Sequence, residues 1–196
     1  MSKWSTKIWQ ATTTTEVRDS FPRFHDTQPI VRNLNATGNN ASSKITFYVP
    51  KSEFKVGLAA ALASDGVSAY LPVDVEAGHI INGHTLTTSD YLAIATSTGV
   101  DVREITGVSD DAGEDYCHAT IAATGKTLLI NTDVWVVRAT DIIDLTVGNA
   151  SIEKDFSWVA GNYACPLVVG ATSGDATDTR VKVTVQYKAP SEPDAD

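Results

Sequence analysis

The segment Arg180–Tyr187 alternates Val181, Val183, Val185 and Tyr187 with Arg180, Lys182, Thr184 and Gln186, a strict period of two. Such a pattern sits on a pleated strand with one face buried and cannot be laid along one stripe of a helix. Thr, Val and Ile supply 56 of the 196 residues. Their β-branched side chains lose rotamer freedom in helices and pack well on sheets. From Lys44 onward, short apolar or alternating runs recur between turn signals: Lys44–Val49, Val67–Val75, Tyr91–Ala95, Val100–Val108, Tyr116–Ala122, Thr127–Ile130, Val134–Arg138, Ile142–Val147 and Tyr163–Val169. Between them, Ser64-Asp65-Gly66, Asn82-Gly83, Asp110-Asp111-Ala112-Gly113 and Ser173-Gly174-Asp175 supply or tolerate positive φ, as hairpin turns require. The spacing predicts an all-β chain of the sandwich or jelly-roll kind.

One segment fits two periods. In Ser52–Ala63, Phe54, Leu58, Ala61 and Leu62 mark a helical stripe, whereas Phe54, Val56 and Leu58 alternate ahead of an Asp-Gly turn; a strand is the expectation. Residues 1–43 differ from the rest, with Thr12–Thr15, then Phe21-Pro22-Arg23-Phe24, then a polar stretch from Asn33 to Ser43. They read as an extended N-terminal arm before a domain at 44–188. Trp4, Trp9, Phe21 and Phe24 are too many aromatics for a solvated linker, so they are expected to dock, on a neighbouring subunit or on the chain's own domain as a first strand. Residues 189–196, with two prolines and three acids, read as a solvated tail.

A net charge of −9 argues against a nucleic-acid surface, which needs clustered Lys and Arg. No stretch approaches the ~18 apolar residues of a membrane span, and the first residues lack the apolar core of a signal peptide. No membrane partner is expected, and synthesis in the cytoplasm is. Cys117 and Cys165 make no disulfide framework and have no metal-ligand spacing, so two free, buried thiols are expected.

The chain contains few patterns that carry chemistry. His79 and His84 flank a tight turn, but a zinc site needs three or four converging ligands, and His25 and His118 share no spacing with them. Asp110, Asp111, Glu114 and Asp115 lack the alternation and distal Glu of a calcium loop. Ser157 lies in no G-x-S-x-G elbow, and Cys117 and His118 are sequence neighbours whose side chains diverge on a strand. Asp74 and Glu76 have no distinctive glycosidase spacing, and Gly99, Gly107 and Gly113 form no phosphate loop. No catalytic residue, metal or cofactor is expected; the chain reads as a structural protein.

Gly83-His84-Thr85-Leu86-Thr87-Thr88-Ser89-Asp90-Tyr91-Leu92, Asp133-Val134-Trp135-Val136-Val137-Arg138-Ala139 and Cys165-Pro166-Leu167-Val168-Val169-Gly170 together resemble virion proteins of tailed bacteriophages, in particular small capsid decoration, or cement, proteins. The resemblance spans about residues 45–188. It implies a β-sandwich or β-barrel module, a homotrimer seated on the lattice of the major capsid protein and located on the virion surface. Trp4, Trp9, Phe21 and Phe24 are then the expected interface residues, since buried aromatics dominate contact energetics and an arm can reach a neighbour. Two other readings stand beside it: a phage tail or neck component, and a carbohydrate-binding module stacking sugars on Trp135, Trp158 or Tyr163.

Overall fold

A computed structural model of the chain describes residues 2–11, 17–21, 27–33, 44–50, 55–72, 80–81, 84–110, 116–144, 151–153, 167–172 and 179–188. These residues form strands and their connections, with no helix among them, and the fold is all-β. In chain order the strands are β1 (Ser2–Ala11), β2 (Val17–Phe21), β3 (Thr27–Asn33), β4 (Lys44–Pro50), β5 (Val56–Gly57), β6 (Ser68–Pro72), β7 (Ile80–Ile81), β8 (His84–Thr85), β9 (Tyr91–Thr96), β10 (Gly99–Asp110), β11 (Tyr116–Ile121), β12 (Asp133–Asp144), β13 (Ser151–Glu153), β14 (Leu167–Thr172) and β15 (Thr179–Lys188).

The chain's own contacts divide it into two compact units. One unit gathers Met1–Phe47, Asp141–Gly161 and Val169–Asp196; the other gathers Tyr48–Thr140 and Asn162–Val168. In the first unit the alternating strand β15 lies between β1 and β3, with β13 beyond β3. β1 pairs with β15 from Ser2↔Lys188 to Ala11↔Thr179 without interruption. Of the two dispositions open to the N-terminal stretch, Ser2–Ala11 thus takes that of a strand in a sheet of its own chain.

The second unit is a meander. β9, β10, β11 and β6 are successive antiparallel neighbours, β12 lies on the other side of β9, and β5 pairs with β12. Alternation along these strands builds two apolar layers. Leu92, Ile94, Val134, Val136, Ile105, Cys117, Ala119, Ile121, Ala69 and Leu71 pack on one side with Leu58, Leu62 and Leu128; Ala93, Val102, Trp135 and Val137 pack on the other with Tyr48 and Val168. β9 and β12 are therefore buried on both faces, which is why Val134-Trp135-Val136-Val137 reads as a continuous apolar run. A bulge between Ile105 and Gly107 shifts the β10–β11 register by one residue and keeps Val108 in line with Ala119. Without the bulge the far half of β10 would present its other set of side chains to the core.

Several strand boundaries differ from expectation. Val134–Arg138 and the described part of Ile142–Val147 belong to one strand, β12, because Ala139-Thr140-Asp141 contains no residue that forces a turn. Thr127–Ile130 is not a strand. Leu128 makes an isolated bridge to Leu62, and the chain then turns through Leu129–Thr132 with Asn131 at φ 64°. In Ser52–Ala63 the described residues hold only the two-residue strand β5 before an irregular path fixed by bonds from the backbone N–H groups of Leu58, Ala59 and Leu62 to Thr132, Tyr70 and Leu128. Strands on either side of two expected turns are paired, Ile81 lying opposite His84 and Asp110 opposite Cys117; Asn82-Gly83 and residues 111–113 themselves lie outside the described residues.

Candidate interaction surface

The residues expected at an interface fall on different elements. Trp4 and Trp9 share β1, in register with Gln186 and Val181. Phe21 ends β2, a strand of another sheet, and Phe24 lies outside the described residues. His25, Asp74, Glu76, His79, Asp111, Glu114, Asp115, Ser157, Trp158, Tyr163 and Cys165 also lie outside them. Among the described residues no three His, Cys, Asp or Glu side chains converge as a metal site.

Cys117 is a free, buried thiol. Burial first, and the negative charge of Asp110 second, push its pKa up to about 11, so at neutral pH it is a thiol and a poor nucleophile. His118 diverges from it as strand alternation requires. Its ring lies 4.1 Å from that of Tyr70 and 5.9 Å from that of Tyr116, with Ser68 Oγ 3.5 Å from Nδ1. Cross-strand pairing of Tyr70 with His118 builds this half-buried aromatic row on β6 and β11.

The polar centre that sequence reading missed is Asp90, a fully buried carboxylate. Its Oδ2 accepts hydrogen bonds from the Thr87 backbone N–H at 2.9 Å, from Thr87 Oγ1 at 3.0 Å and from His84 Nε2 at 3.1 Å. Oδ1 accepts no hydrogen bond and lies 3.7 Å from the guanidinium of Arg138, which is half exposed. The signal was present as Thr87-Thr88-Ser89-Asp90, a Thr-x-x-acid turn of the capping-box type. The backbone of Asp90 also receives the Ile105 N–H, so the node ties the start of β9 to β8, β10 and β12.

Outward-facing chemistry is clearest at the Leu129–Thr132 turn. Leu129 is 71% exposed and Ile130 57%, although the backbone around them is held firmly. Leu62 and Leu128 exchange two hydrogen bonds, the Asn131 N–H donates to the Leu58 carbonyl, the Leu58 N–H donates to the Thr132 carbonyl, and the Thr132 N–H and Oγ1 both donate to the Leu129 carbonyl. Gly57 fits beneath it: a Cβ there would lie 2.9 Å from Asn131 Cα, so only glycine lets β5 pass so close. Trp135, one of the rings expected for sugar stacking, is instead buried in the core with its Nε1–H unpartnered. It offers no platform, because the strand that carries it is covered on both faces.

No protein family, curated protein or solved structure matches this chain.

Proposed function

We propose that this chain is a structural protein of a tailed-bacteriophage virion, a decoration protein that binds the outer lattice of the major capsid protein and stabilises it. The observation that carries this reading is the Leu129-Ile130 pair, two large apolar side chains held out to solvent on a turn whose backbone is fixed by six hydrogen bonds. A pre-ordered apolar tip loses little entropy on docking, and burying a Leu or Ile fully contributes about 1.5–3 kcal/mol. Repeated over a lattice by self-associating copies, such modest contacts add up through avidity. The all-β body supports the tip, Trp4, Trp9, Phe21 and Phe24 are the further contacts this reading names, and no residue acts as a catalyst.

The test is binding of the purified chain to undecorated shells assembled from the major capsid protein of the same virus. Saturable binding that falls at least tenfold in Leu129→Ser/Ile130→Ser is expected. Absence of binding by a well-folded chain would reject the reading and direct attention to tail fractions and glycans.

A further inference from the structure

The sheet built around β15 ends on two unlike edges. β13 is three residues long and covers only Ile30–Arg32 of β3. β1 forms the other edge and, among the described residues, has β15 as its sole strand neighbour. It runs for ten residues in unbroken register, with neither bulge nor proline. Natural edge strands are blunted by shortness, bulges, proline or charged side chains, lysine above all, since a long regular edge presents a row of unpaired N–H and C=O groups that templates another strand. β13 is blunted by its shortness; β1 is long, without bulge or proline, and is guarded only by Lys3 and Lys7, which bar some pairing registers and leave another open.

We propose that β1 binds β1 of a second copy of this chain, antiparallel and centred on Thr6, joining two four-stranded sheets into one. The charges on the strand select the partner and the register. A two-fold axis perpendicular to a sheet preserves its faces, so a symmetric antiparallel pair must be centred on a residue rather than between two. Centred on Thr6, the strands pair from Ser2 to Gln10. Thr6 lies opposite the partner's Thr6, Ser5 opposite the partner's Lys7, Trp4 opposite the partner's Ile8, and Lys3 opposite the partner's Trp9. No like charges are opposed, and Thr–Thr, aromatic to β-branched, and Lys–Trp are favourable cross-strand combinations.

The neighbouring registers fail on charge. Centring on Lys7 sets Lys7 against the partner's Lys7, and centring on Ser5 sets Lys3 against the partner's Lys7 twice over; like charges directly opposed destabilise. Centres farther out shorten the pairing. The same two lysines that repel the alternatives are accommodated in the Thr6 register, and both tryptophans of the strand gain cross-strand partners. This contact is independent of the capsid reading. Being isologous, it closes on a pair and does not by itself generate the trimer that the resemblance implies.

The test uses the full chain with Cys165→Ser, carrying Ser5→Cys, Thr6→Cys or Lys7→Cys one at a time under mild oxidation. Directly opposed residues of antiparallel strands have Cα atoms about 4.5–5.5 Å apart, within disulfide reach. Thr6→Cys is expected to crosslink to a dimer at least tenfold faster than the other two. Light scattering of the unmodified chain is expected to give twice its 20.9 kDa mass. Thr6→Lys, which opposes two charges on the axis, is expected to weaken association at least tenfold without changing the circular dichroism. A mass of one or three chains, or crosslinking fastest at position 5 or 7, would overturn the proposal.

Discussion

Asp90 and the Leu129-Ile130 turn lie in the same compact unit and break the inside-outside rule in opposite directions. Asp90 carries a carboxylate into a site with no exposure at all, whereas the turn holds two large apolar groups in water. The first is compensated locally, by Thr87, His84 and Arg138, so its departure serves the fold. The second has no such compensation within the turn, since the six bonds that fix its backbone do nothing to cover its side chains. An uncompensated departure on a rigid element points outward, to a contact with something else.

Substitutions can break or sharpen this contrast. Leu92→Ala, in the layer that packs against Leu58 and Leu128, sets the upper scale, with an expected loss of about 2–5 kcal/mol in denaturant unfolding. Asp90→Ala is expected to cost about 3 kcal/mol, because the Thr87 N–H and His84 lose their acceptor inside the protein. If that variant were as stable as the parent, the node would not be structural and its assignment to the fold would fail.

Cys117 gives a pH-dependent comparison. An acid whose folded pKa lies above its unfolded value binds more protons folded than unfolded between the two, so its stabilising contribution is intact below pH 9 and is lost as pH rises toward about 11. The full swing is on the order of 2 kcal/mol. Unfolding measured from pH 8 to 11 should therefore fall more steeply for the parent than for Cys117→Ala. In the Cys165→Ser chain, the thiol should react with a disulfide reagent only on unfolding.

Smaller effects are expected at the turn. Gly57→Ala forces the backbone near Asn131 to shift and should cost about 1–3 kcal/mol while loosening the turn. Leu129→Ser/Ile130→Ser should change stability by no more than about 0.5 kcal/mol. A large loss of stability in the double variant would show that these side chains serve the fold after all.

Most of the fold was legible in period-two patterning. β4, β9, β10, β11 and β15 begin and end close to where alternation and Gly or Asp turns place them, because each is ruled by local sequence. Two boundaries are less legible: β12 runs on through Ala139-Thr140-Asp141, where the apolar pattern pauses but nothing forces a turn, and Leu128 sits in an isolated bridge whose partner, Leu62, is distant in sequence. For Ser2–Ala11 the sequence leaves an arm and a strand open, because β15, the strand it pairs with, lies at the other end of the chain. Asp90 is hard to read from sequence because its Thr-x-x-acid signal is short, and its burial depends on Arg138 and Ile105 arriving from other strands.

The most direct test of the central claim is quantitative binding of the full chain and of Leu129→Ser/Ile130→Ser to undecorated shells, with stability measured in parallel. The account expects the parent to saturate the shells and the double variant to bind at least tenfold more weakly with its stability unchanged. Equal binding by both, or none by either, would contradict it.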